Sequence, residues 1–114
     1  MVVTVPLETL SQLDFRVGRI ISVEDIPNAK KPLYKFTIDF GPLGVKQCVG
    51  GIKKFYTEEQ LMGKQVVAVL NLPPKPIAGV ISECMMLAAF EEENLSDLSL
   101  LRPDKEMPLG SKVA

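Results

Sequence analysis

The chain has 114 residues, a formal net charge of −1, no His and two Cys. That length suffices for one domain with its own core and no staples. Without His there is no Ser-His-Asp triad, no Cys-His pair and no His-ligated metal site; charged residues at 24% and apolar residues at 46% are those of an ordinary globule.

Strand-like runs dominate the reading from the N-terminus onward. Asp14 to Val23 predicts a first strand, with Phe15, Val17, Arg19, Ile21 and Val23 on one face and Arg16, Gly18, Ile20 and Ser22 on the other. Gly18 within it predicts a bend or bulge of the kind a small barrel needs at its corners. A polar loop, Glu24 to Pro32, follows. Leu33 to Phe40 alternates, with Tyr34, Phe36, Ile38 and Phe40 inward and Lys35, Thr37 and Asp39 outward. Gly41-Pro42-Leu43-Gly44 is a turn by composition, and Val45 to Val49 a third strand.

Thr57 and Gln60 then have the spacing of a capping box, with Glu58 and Glu59 in the first turn and Gly63 where a helix ends. Phe55 is placed to staple onto Leu61. Lys64 to Leu70 predicts a fourth strand. Leu72-Pro73-Pro74-Lys75-Pro76 predicts a loop, because three prolines remove ladder donors. Ile77 to Phe90 contains a fifth strand. Its segment from Val80 carries apolar residues on both parities, which requires cover on both faces. One cover is the barrel interior. The other is the tail, Glu91 to Ala114, or a second copy of the chain; the tail is too apolar to remain disordered.

Strand, strand, strand, helix, strand, strand is the order of an all-β OB-fold, a five-stranded Greek-key barrel with one short helix between strands three and four. A sandwich of similar strand count is the alternative, and the single capped helix in that position favours the OB reading. Residues 1–114 read as one domain, with 91–114 as a C-terminal extension packing on the barrel or a dimer partner.

The near-zero net charge hides an asymmetry. Residues 1–15 carry two acids and no cation. Residues 16–75 carry ten cations against five acids, and residues 76–114 three against seven. A basic middle flanked by acidic ends is a signature of polyanion binding where the cations cluster in space. OB-folds bind through the outer face of strands two and three and the loops joining strands one–two and four–five. The first loop carries Asn28, Lys30 and Lys31, and the second carries Lys75. Lys35 and Lys46 belong to strands two and three, and Lys53 and Lys54 follow directly. With no Trp, and with Tyr34 and Phe36 reading as core, rings for a stacking platform are scarce. That favours recognition of folded RNA by backbone and shape.

Ser82-Glu83 is the polar break in strand five and reads as a barrel-rim feature. No base is present for Ser82 and no second carboxylate for Glu83, so no catalysis is expected. Cys48 and Cys84 do not form a metal-type spacing. They read as half-buried thiols of a reducing compartment. The first residues lack a charged segment ahead of an apolar core, and no window reaches about 18 uninterrupted apolar residues, so neither a secretory signal nor a membrane span is expected. The expectation is a cytoplasmic protein without cofactor or metal.

Several blocks, in order, resemble the tRNA-binding domain family. They are Phe15-Arg16-Val17-Gly18-Arg19-Ile20, Pro27-Asn28-Ala29-Lys30-Lys31, Gly51-Ile52-Lys53-Lys54-Phe55-Tyr56-Thr57, Leu61-Met62-Gly63-Lys64-Gln65-Val66, Asn71-Leu72-Pro73-Pro74-Lys75 and Ser82-Glu83-Cys84-Met85-Met86-Leu87-Ala88-Ala89. Lys31 to Gly41 and the ending Leu101-Arg102-Pro103-Asp104…Pro108…Gly110 look most like the CsaA-like, secretion-related chaperone branch of that family. The resemblance implies an OB-fold with C-terminal additions, a homodimer, recognition of the outer corner of tRNA by shape, and no catalysis. It includes domains appended to methionyl-tRNA synthetases and stand-alone tRNA binders. For the chaperone branch it implies a pocket for peptides or unfolded preproteins. Carried over by position, Asn28, Lys30, Lys53, Lys54, Lys75, Ser82 and Met85 fall in the motif blocks as RNA-contacting residues. Ile26, Lys30 and Gly50 depart from the His, Asp and Ser that many tRNA binders carry. Glu83 adds a negative charge where that branch is usually neutral, which raises the peptide-binding reading.

Overall fold

Strict alternation of large apolar and polar residues forces Tyr34–Asp39 to lie as a strand with one wet and one dry face, and the computed structural model, described over residues 2–114, shows this (β2). Tyr34, Phe36, Ile38 and the following Phe40 are buried. They meet Ile20, Leu61, Val66 and Ala68 in one core.

A short helix, Leu7–Ser11 (α1), precedes the barrel and buries none of its residues. Phe15–Asp25 (β1) is the central strand, followed by β2, a 3-10 turn at Gly41–Leu43 and Val45–Gly50 (β3). The capping box is complete around Glu58–Leu61 (α2). The Gln60 N–H donates to Thr57 Oγ1 at 3.3 Å, and the Thr57 N–H donates to Gln60 Oε1 at 2.8 Å. Gly63 has a φ of 80°, the left-handed conformation that turns the chain into Gln65–Val69 (β4). Short strands complete the fold: Lys75–Ile77 (β5), Val80–Ser82 (β6), Met85–Met86 (β7), Ala88–Phe90 (β8), Leu98–Leu100 (β9) and Lys112–Val113 (β10).

The antiparallel order is β3-β2-β1-β4-β7. The segment ahead of β7 returns to β3, where the Glu83 N–H donates to the Gln47 carbonyl at 2.8 Å. This contact brings the two ends of the sheet together. The result is a five-stranded antiparallel barrel of the OB type with α2 between β3 and β4.

Four expectations change. The faces of β1 do not alternate uniformly, because a bulge between Ile20 and Ser22 shifts the register. Val17, Ile20 and Val23 are therefore buried, and Ile21 faces out. Gly18 has a different task from bending: a Cβ there would lie 2.5 Å from the Phe40 ring and 2.6 Å from Ile38 Cγ2.

The proline-rich loop is in part a hairpin. Lys75, Pro76 and Ile77 pair with Ser82, Ile81 and Val80 around a two-residue turn at Ala78 and Gly79, both at positive φ. In such a hairpin the ladder bonds fall on the first and third pairs, so Pro76 occupies the site whose N–H is not required.

Strand five is three short strands. β6 belongs to this hairpin, β7 pairs with β4, and β8 pairs with β9. The tail lies against the barrel along much of its length, and the buried Gln65 side chain bonds both the N–H and the carbonyl of Met107. β10 pairs with the start of β1. The Val67 N–H donates to Leu101 O, and the Leu101 N–H to Leu87 O. No helix among the described residues is long and apolar enough to cross a membrane.

Candidate nucleic-acid interface

The polar segment Ser82-Glu83-Cys84 is held against β3. The Val49 N–H donates to Ser82 Oγ at 3.2 Å, and the Gln47 N–H donates to Glu83 Oε1 at 3.0 Å. The Gln47 side-chain amide reaches the Ile81 carbonyl at 2.9 Å. These bonds replace a regular ladder with side-chain hydrogen bonds, and a cavity of about 350 Å³ lies between β3, the β5–β6 hairpin and β7. Its walls are Ile52, Leu72, Pro73, Ile77 and Met86 with Cys48 and Cys84, and Lys75, Ser82 and Met85 also line it.

The sequence-predicted residues do not share one surface. Lys75, Ser82 and Met85 come together at the cavity. Asn28, Lys30 and Lys31 are exposed on the β1–β2 loop. Lys35 lies across from Glu24 on one side and Val49 on the other, on the outer face of β2. Lys46 does not share that face. It pairs with the fully buried Ile38, so its side chain leaves β3 on the core side, at the end of the barrel.

Lys53 is partly spent: its ammonium lies 2.5 Å from Asp25 Oδ1 and 5.1 Å from the Tyr34 ring centre. Lys54 lies over the Phe55 ring at 5.8 Å. The Ser82 hydroxyl accepts from Val49 and donates to the Cys84 carbonyl at 3.3 Å, so its bonds are internal.

The two arginines of the basic middle are consumed as well. Arg16 pairs with Asp14 at 2.7 Å and Arg19 pairs with Glu106. Acids from the two ends of the chain thus neutralise the arginines of the basic middle. Among the described residues no ion pair involves Lys30, Lys31, Lys54 or Lys75, and all four are exposed.

Aromatic rings contribute little open surface around the cavity. Burial pushes the Tyr34 hydroxyl up from its ordinary range, with Glu58 adding to the effect, and it donates to the Tyr56 carbonyl at 3.0 Å. The Tyr56 hydroxyl accepts the Leu100 N–H at 3.1 Å. Sequence reasoning missed the apolar wall, Ile52, Leu72, Pro73, Ile77 and Met86. Its one signal was the Leu-Pro-Pro string facing a Met pair, which reads as loop and core when taken separately.

A family model described as "Putative tRNA binding domain" matches residues 15–112, from the first residue of β1 to the first of β10. The chain belongs to the tRNA-binding domain family. This family member is 49% identical over 109 residues to the methionine–tRNA ligase of Pyrococcus horikoshii and 43% identical over 109 residues to that of Methanocaldococcus jannaschii. The alignment covers 96% of the chain but only 14% and 16% of the two ligases.

Two solved structures match over their whole length. One is the chaperone CsaA of Bacillus anthracis str. Ames, with a TM-score of 0.89 and 39% identity over 98% of this chain. The other is a MetRS related protein of Pyrococcus horikoshii, with a TM-score of 0.88 and 30% identity over 99% of this chain. The tRNA-binding domain described here is thus related both to methionine–tRNA ligases and to CsaA chaperones.

Proposed function

We propose that this chain is a non-catalytic, cytoplasmic, homodimeric module that holds folded tRNA through backbone charge and shape and presents it to a methionyl-tRNA synthetase. The observation that carries this reading is the group of exposed lysines without acidic partners among the described residues on the loops and hairpin around β2, β3 and the cavity, Lys30, Lys31, Lys54 and Lys75, within a tRNA-binding family domain; Lys105 and Lys112 are equally free but lie in the acidic tail. Cations free of internal partners are those able to displace counterions from phosphates. Asn28 and Lys35 lie on the same loop-and-strand surface, and Ser82 and Met85 shape the cavity beside Lys75.

Filter binding of folded tRNA across a salt series tests the proposal. Each phosphate neutralised contributes a slope of about −0.7 to −0.9 in log K against log salt, so Lys30→Ala with Lys31→Ala should lower both affinity and slope. Lys53→Ala should do less, because Asp25 already engages that ammonium. Absence of tRNA binding at low salt, or binding indifferent to salt, overturns the reading.

A second reading rests on the apolar cavity and the likeness to a CsaA chaperone. Here Met85 and Met86 form an adaptable wall for extended apolar segments of unfolded preproteins. Suppression of client aggregation that Met85→Glu abolishes supports it; an inactive wild type overturns it.

A further inference from the structure

We propose that Cys48 and Cys84 are a reversible dithiol–disulfide pair in the cavity wall, a modification site that takes small disulfides as oxidants. The argument starts from placement. Cys48 is on β3, and Cys84 lies between β6 and β7, two segments held together by bonds that flank Cys48 on both sides and run up to Cys84 on one. Gln47 and Val49, the neighbours of Cys48, bond to Glu83 and Ser82, which directly precede Cys84. The Cys84 thiol reaches back to the Gln47 carbonyl at 4.0 Å, one peptide bond from Cys48.

Both side chains are free thiols in one core cluster and line one cavity. At 1% and 5% exposure both are buried, and the cavity they line offers a reagent its approach. The pair is also chemically unequal. Cys48 beside it holds the Cys84 thiol below its ordinary range, and the Lys46 ammonium adds to this, while burial and Glu83 oppose it. The same contact, with burial, pushes Cys48 up. Cys84 is also the more accessible of the two, which makes it the attacking thiolate and Cys48 the resolving thiol.

The exchange balances with a small disulfide as the only co-reactant. The Cys84 thiolate attacks one sulfur of the disulfide. The reagent's S–S bond breaks, one small thiol leaves, and a mixed disulfide remains on Cys84. Cys48 loses its proton and attacks the Cys84 sulfur, the mixed bond breaks, and the second small thiol departs. Two protein thiols are oxidised and one small disulfide is reduced. The product ties β3 to the segment between β6 and β7 and fixes that wall of the cavity. The proposal is independent of the ligand the cavity takes.

The test is native full-length chain incubated with oxidised glutathione, quenched with acid, alkylated after unfolding and mapped by mass spectrometry. The expected result is an intramolecular Cys48–Cys84 peptide cross-link, reversed by dithiothreitol. Cys48→Ser should stop at a glutathione adduct on Cys84, and Cys84→Ser should leave Cys48 unmodified while folded. The wild-type map needs no variant to fold. A wild-type chain whose two thiols stay free, that stops at the mixed disulfide, or that cross-links only between chains overturns the proposal.

Discussion

Gly18 shows how one missing side chain sets the barrel's interior. A Cβ would enter the space of the Phe40 ring and Ile38, both fully buried and with no room to retreat. Gly18→Ala should therefore cost about 1–3 kcal/mol by overpacking, measured as a lower urea midpoint at unchanged m-value. An unchanged midpoint would contradict the packing described.

The site was only partly legible at this scale. The exposed Lys30, Lys31 and Lys75 followed from their loops. Lys46 did not, because its face depends on strand register, and register follows from pairing with Ile38 rather than from composition. Ser82 was legible as polar in an apolar run. Its acceptance of the Val49 N–H was not, since the partner lies on a different strand.

Among the elements, α2 was the clearest in sequence because its signals are local: a cap, its reciprocal partner and a terminal glycine within one short segment. Its stability is correspondingly attributable. Thr57→Ala removes the oxygen that accepts the Gln60 N–H and should lower stability by about 1 kcal/mol; Thr57→Ser should restore most of it. Equilibrium denaturation of the two variants side by side checks both directions.

Strand five was legible as an apolar strand, but its breakage was not, and the cover expected on both faces is absent within the chain: of Val80–Phe90 only Cys84 is buried, while Ile81, Met85 and Phe90 are exposed. Its residues serve three partners, β5, β4 and β9, and the mixed parity of its apolar residues averages three registers. The Pro76 hairpin was hidden for a related reason. A proline excludes a ladder donor only at alternate positions, and its position becomes known only once the turn is placed.

At the level of the whole molecule, the N-terminal arm remains unpartnered within the chain. Val2, Val3, Val5, Leu7 and Leu10 are all exposed, and α1 buries nothing. The radius of gyration, 14.6 Å, exceeds the roughly 13 Å of a compact chain this long. An exposed apolar arm of this kind is the segment the proposed dimer would have to cover. Sedimentation should find the wild type as a dimer and Leu7→Glu with Leu10→Glu as a folded monomer; a wild type that sediments as a monomer removes the dimer from the proposal.

The pairing of β10 with β1 governs how the barrel is made. Phe15 bonds in register with both Val69 and Val113, so the first strand meets its last neighbour nearly a whole chain length later. During synthesis β1 emerges ahead of β4 and must wait for it, and again for Lys112–Val113, with the sheet edge beyond Phe15 open in the interval. Closing so large a loop is entropically costly, which places this fold among slow, non-local folders. A nascent chain stalled before residue 112 would carry the barrel strands and an unguarded edge, which makes that interval its period of greatest exposure to misassembly.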